Sequence, residues 1–140
     1  MYGETGGDFY GEGKVNMDGK YVRIQTRYCG KTGKPVGIFA ACWHLMEGVM
    51  REDALSEEDK EIYLNIRNWF EENLPNPPYY EDGNTIKAIT WFKKDNSNEM
   101  LERLQPLIGL LEKYNVDYDV VYSDDVGEII YEDDFQIAVI

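Results

Sequence analysis

The segment from Tyr21 to Cys29 alternates between two kinds of side chain, and this pattern constrains the fold more than any other part of the chain. Apolar, aromatic or β-branched residues take every second position, and Arg23, Gln25 and Arg27 stand between them. A period of two places each kind on one face of an extended chain, so the segment is predicted to be a half-buried β-strand. Such a strand needs neighbouring strands and an apolar layer against one face.

Three later segments change to the helical period of 3.6 residues. They predict helices over residues 35–50, 56–73 and 98–114. Pro35 suits the first turn of the first helix, whose apolar residues cover most of its circumference. Ser56 followed by Asp59 resembles a capping box at the start of the second helix. Pro106 predicts a kink or a break in the third helix.

The remaining regular segments are rich in β-branched and aromatic residues and predict strands over residues 86–92, 116–123, 128–132 and 135–140. The predicted element order is β-α-α-β-α-β-β-β. It indicates a single α+β domain over residues 20–140, with a mixed sheet of about five strands and three helices mainly on one face. Residues 86–123 are expected to form a right-handed parallel crossover, followed by an antiparallel meander. Residues 1–19 are predicted to be a flexible, glycine-rich arm.

The composition is that of a chain that folds. Its 140 residues suit one domain, and 43% are hydrophobic in spite of a net charge of −13. No apolar run approaches the roughly 20 residues of a membrane span, and the start lacks the pattern of a secretory signal. These observations predict a cytoplasmic protein that does not enter a membrane. Cys29 and Cys42 are expected to be free thiols, although one bridge between them stays open.

The charge is unevenly distributed along the chain. Residues 1–50 carry a net charge of +1 and residues 51–140 a net charge of −14. A field of that sign repels nucleic-acid backbones and anionic membranes and favours a basic protein partner.

The predicted junction between the first strand and the first helix is the best candidate for an anion site. A glycine turn that opens a helix would present free backbone N–H groups near several basic side chains. The residues of this candidate site are Arg23, Arg27, Gly30, Lys31, Thr32, Gly33 and Lys34. The turn is not a Walker A loop, because Gln25 stands where that motif requires glycine. A surface turn whose lysines pair with nearby acids is the simpler interpretation.

A second candidate is a partner-binding surface of tyrosines and carboxylates. Tyrosine is common where a side chain is half dry and half wet, as in an interface, and carboxylates would attract a basic partner. The predicted residues are Tyr79, Tyr80, Asp117, Asp119, Glu128 and Glu132. Together with Asp134 these carboxylates could gather on the exposed side of the last strands, but their spacing matches no calcium loop, so no metal site is predicted.

The sequence predicts no catalytic set. His44 is the only histidine, and its place in an apolar helix favours a structural, hydrogen-bonded role. No nucleophile elbow or zinc motif is present, so no cofactor is predicted and enzymatic activity is left open.

Several short motifs match a known pattern of sequence. They are residues 37–39 at the start of a buried helix, 91–93 on an inner strand, 127–133 and 135–137. Over most of residues 36–140 the chain resembles a family of small uncharacterised bacterial proteins. The resemblance implies a bacterial origin and carries no activity.

Two functional hypotheses follow. The first is a non-catalytic interaction or inhibitor module that docks its acidic surface on a basic protein. The second is a small phosphate- or nucleotide-binding enzyme that uses the Arg27–Lys34 turn. The oligomeric state is left open by the sequence.

Overall fold

Six strands and four α-helices make up the part of the chain that the computed structural model describes, namely residues 19–30, 32–48, 55–79 and 83–140. The strands are β1 (Tyr21–Cys29), β2 (Pro35–Gly37), β3 (Ile89–Lys93), β4 (Tyr118–Ser123), β5 (Ile129–Glu132) and β6 (Gln136–Val139). The α-helices are α1 (Ile38–Glu47), α2 (Glu57–Asn73), α3 (Asn98–Arg103) and α4 (Gln105–Lys113), and a 3₁₀ turn covers Lys94–Asn96. The predicted arm falls outside the described residues except for Gly19, which is buried beside the backbone of Ser123.

The sheet is built around β1. One edge of β1 pairs with β4, while the other edge pairs with β3 near Tyr21 and with β2 near Cys29. The sheet continues from β3 to β6 and ends at β5. The α+β class is confirmed, but every pairing among the described strands is antiparallel, so the prediction of a mixed sheet was wrong on this point. Strands β3 and β4 do run in the same direction, but β1 lies between them.

The predicted meander at the end of the chain is also corrected. Strands β5 and β6 pair as expected, whereas β4 pairs with β1 on the far side of the sheet. The pairing matches apolar residues of β1 with those of β4, such as Ile24 with Val120. Both side chains pack in the core beneath the helices, and burial of this shared face favours the distant partner over the neighbouring one.

Pro35 does not begin the first helix as predicted. It begins β2, which pairs with the end of β1, and α1 starts only at Ile38 with Gly37 as its N-cap. Proline lacks an N–H group but its carbonyl and fixed φ suit a short strand as well as a helical turn, so its pattern was ambiguous. Helix α1 then ends at Glu47, before a glycine in the left-handed conformation at Gly48.

The other helix predictions are confirmed. Ser56 is the N-cap of α2, and its hydroxyl oxygen accepts the N–H of Asp59 at 3.2 Å. The predicted third helix is broken at Leu104 into α3 and α4, with Pro106 in the first turn of α4. The missing N–H of proline costs nothing in a first turn, which explains the position of the break.

Both faces of the sheet carry an apolar cluster. The larger cluster joins Ile24 and Val36 of the sheet to the helices, with Leu104, Leu107 and Leu111 fully buried. The smaller cluster lies on the face away from the helices and contains Trp91, Ile137 and Val139, with the loop residue Val126 packed against it. None of the described helices is long and apolar enough to cross a membrane.

Candidate functional site

The glycine turn after β1 uses its own backbone N–H groups. Gly30 donates its N–H to the carbonyl of Lys34, and Gly33 donates to the carbonyl of Gly30, each at 3.0 Å. The N–H of Lys34 donates to the side-chain oxygen of Thr32 at 3.3 Å. These three N–H groups stabilise the turn itself. Since β2 also separates the turn from the start of α1, the expected combination of free donors and a helix N-terminus is not formed here.

Arg23 is buried inside the sheet rather than aimed at the turn. The residue is only 7% exposed. Its guanidinium donates hydrogen bonds to the carbonyl oxygens of Thr90 at 2.8 Å and Pro35 at 3.0 Å. It also donates to the amide oxygen of Gln25. Because Pro35 belongs to β2 and Thr90 to β3, the guanidinium bridges the gap between two strands that share one edge of β1.

Arg27 and Lys34, two further basic residues of the predicted anion site, have partners in different elements. Arg27 forms an ion pair with Asp119 of β4 at 3.0 Å on the exposed sheet surface. The ammonium group of Lys34 donates to the carbonyl of Lys87 at 2.7 Å. Lys31 lies outside the described residues. Anion binding at this turn therefore stays a prediction, with a geometry different from the one expected.

The acidic residues predicted to share a surface lie at opposite edges of the sheet. Asp117 and Asp119 lie beside or on β4, while Glu128 and Glu132 lie beside or on β5. Glu132 forms an ion pair with Lys93 at 2.5 Å. The expected gathering was wrong, because it assumed that β4 neighbours β5. Among the residues that the structure describes, no group of three or more histidine, cysteine or acidic side chains could hold a metal ion.

Of the two predicted interface tyrosines, only Tyr79 lies within the described residues. It is half-buried, and its carbonyl accepts the N–H of Asn84 at 3.1 Å. Tyr80 lies outside the described residues.

The edge of the sheet at β5 presents a surface that the sequence reading missed. Ile129 and Ile130 of β5 are exposed by 44% and 37%, and Ile140, which follows β6 and pairs with Glu128, is exposed by 49%. Their signal in the sequence is the adjacent pair Ile129-Ile130, which lies where a shift of register between Ile129 and Tyr131 interrupts the regular alternation of β5. In the predicted meander β5 would lie between β4 and β6, so an exposed outer edge of β5 was not predicted.

A groove of about 1080 Å³ opens between the helices and the edge formed by β2 and β3. Both Arg23 and His44 line it, although Arg27 does not. His44 shares a hydrogen bond of 3.0 Å with the hydroxyl of Tyr28. Burial and the nearby Cys42 raise the pKa of the Tyr28 phenol. The histidine thus has the hydrogen-bonded environment that was expected of it.

The two cysteines are free and differ in reactivity. Cys29 is exposed, whereas Cys42 is completely buried and burial raises the pKa of its thiol to about 12. Because the thiolate is the reactive form, we expect a thiol reagent such as Ellman's reagent to label one cysteine rapidly in the folded protein and both in denaturant. Rapid labelling of both cysteines in the folded protein would contradict this assignment. So would rapid labelling that persists in the variant Cys29→Ser.

No family model, no curated protein and no solved structure gives a significant match to this chain. The resemblance to small bacterial proteins accordingly stays a prediction.

Proposed function

We propose that this protein is a non-catalytic interaction module that binds a basic protein partner by accepting one of its strands along the outer edge of β5. The observation that carries the proposal is the set of exposed isoleucines at that edge, Ile129, Ile130 and Ile140. Exposed large apolar side chains grouped at one place are typical of an interaction surface.

The backbone of β5 supports this mode of binding. Strand β5 is the last strand of the sheet and pairs only with β6 among the described strands. An unpaired strand edge offers its remaining N–H and C=O groups to an incoming strand. Backbone hydrogen bonds would then supply affinity, and the exposed isoleucines would supply apolar contacts.

The negative charge around the edge of β5 favours a basic partner. Exposed carboxylates flank the isoleucines along the chain, and they belong to Glu128, Glu132 and Asp134. Natural edge strands often carry charges that prevent pairing between identical copies. Two copies of this edge would bring carboxylates together, whereas a strand rich in lysine or arginine would be attracted to them.

A direct test uses a defined probe, a blocked peptide of about ten residues that alternates lysine and valine. We expect it to bind the wild-type protein, to lose affinity at high salt, and to slow hydrogen exchange of amides in β5. The variant Ile130→Lys should weaken binding about tenfold, because it removes an apolar contact and places a cation in the acidic rim.

The matched control is Ile62→Lys on α2. Ile62 is 38% exposed and the substitution changes the net charge equally, but it lies away from β5. Equal loss of binding in both variants, or protection of amides elsewhere than β5, would refute binding at this edge.

A further inference from the structure

The groove between the helices and the sheet has a charge balance opposite to that of the protein. Among the described residues that line it, the charged ones are Arg23, Lys34, Arg67, Glu71 and Glu72. Three of these are basic and two are acidic, although the whole chain carries a net charge of −13. A negative ligand that is repelled by most of the surface therefore meets a positive environment in the groove.

Aromatic side chains form much of its inner wall. Phe39 of α1 and Phe70 of α2 meet edge to face, with ring centroids 4.9 Å apart, and Phe92 of β3 lies 6.4 Å from Phe70. At the entrance Trp43 is 44% exposed. Flat apolar molecules pack well against such surfaces, and a groove of this volume accommodates a drug-sized ligand.

Helix α2 places a cation beside this aromatic wall. Tyr63, Arg67 and Phe70 follow one another at helical spacing and all line the groove. Tyr63 is buried, and burial raises the pKa of its phenol. It stands one helical turn before Arg67 on the same face of α2.

One donor of Arg67 lacks an acceptor. Its Nε atom is buried without a hydrogen-bond partner and forms a long ion pair with Glu71 at 3.7 Å, while the side chain as a whole is 40% exposed. A guanidinium binds planar anionic groups through paired N–H donors. A carboxylate or sulfonate entering the groove would meet the exposed part of this guanidinium.

We propose that the groove binds a small organic anion with a flat, apolar body, whose charged group is held by Arg67 and whose rings pack on Phe39 and the exposed Trp43. The site uses residues of α1, α2 and β3 and is independent of the β5 edge. It overlaps the predicted anion site, because Arg23, Gly30, Thr32 and Lys34 also line the groove, but the cation that defines it comes from α2.

Two fluorescent dyes of matched shape test the proposal. Anilinonaphthalene sulfonate carries the negative group, and N-phenyl naphthylamine has the same rings without it. We expect saturable binding of both dyes to the folded wild-type protein, with the sulfonate bound more tightly. Arg67→Gln should weaken binding of the sulfonate about tenfold and leave the neutral dye nearly unchanged, because one charge-assisted contact is lost.

Lys60→Gln is the matched control, since it removes the same charge from the same helix outside the groove. Ala40→Trp provides a steric test, because Ala40 is an exposed residue of the groove and a larger side chain there should weaken binding of both dyes without disturbing the core. Near-ultraviolet circular dichroism verifies that each variant is folded. The proposal would be overturned if Arg67→Gln and Lys60→Gln weakened binding of the sulfonate dye equally, or if Ala40→Trp left the binding of both dyes unchanged. Absence of saturable binding to the wild-type protein would also overturn it.

Discussion

Replacing Arg23 with methionine is expected to lower the free energy of unfolding by about 3 kcal/mol, the largest effect of any polar substitution considered for this protein. The guanidinium joins β2 to β3 through the carbonyls of Pro35 and Thr90, at a point where neither strand pairs with the other. Methionine fills a similar volume but leaves these acceptors without their donors. The loss is measured as the change in the urea midpoint and slope.

Arg27→Gln is the appropriate comparison for this result. Arg27 lies four residues further along the same strand, but its ion pair with Asp119 is on the exposed surface. Exposed ion pairs contribute about 0–1 kcal/mol, so this variant should remain close to the wild type. If the two arginine variants lost the same stability, the bridging role of Arg23 would be incorrect.

Replacing Asp59 with asparagine is expected to lower the free energy of unfolding by about 2 kcal/mol. Its carboxylate is buried at the start of α2 and accepts hydrogen bonds from Lys113 at 2.8 Å and from the Tyr114 hydroxyl at 2.7 Å. These contacts tie the first turn of α2 to the end of α4. Glu58→Gln controls for the loss of a negative charge in the same turn, and it should change stability far less, because Glu58 is exposed.

The effect of Asp59 also depends on pH in a defined direction. The hydrogen bonds from Lys113 and Tyr114 hold the pKa of the Asp59 carboxyl below its usual value of 3.8. A depressed pKa contributes stability above the unfolded value, and this contribution is lost as the pH falls below it. The stability difference between wild type and Asp59→Asn should therefore be constant near neutral pH and shrink below about pH 4. A difference that stays constant to lower pH would show that the ionised form of Asp59 is not what stabilises the fold.

Residue patterns predicted the position of the candidate sites along the chain but not the contacts of their side chains. Glycine and lysine spacing identified the turn at residues 30–34, but the destination of each N–H group depends on contacts within the turn. The strand assignment of Arg23 was predictable from alternation, while its partners Thr90 and Pro35 come from distant or separate elements. The cation of the groove, Arg67, comes from α2, a helix that was not part of the predicted anion site.

Local patterns determined most elements of this protein, although they missed β2. Alternation defined β1, helical spacing and the Ser56 cap defined α2, and Pro106 located the break before α4, because each depends on neighbours within a few residues. Only the tertiary structure decided which strand edges meet. All strand edges offer the same backbone groups, so the pairing of β4 with β1 and the exposure of β5 depend on which distant apolar faces can be buried together.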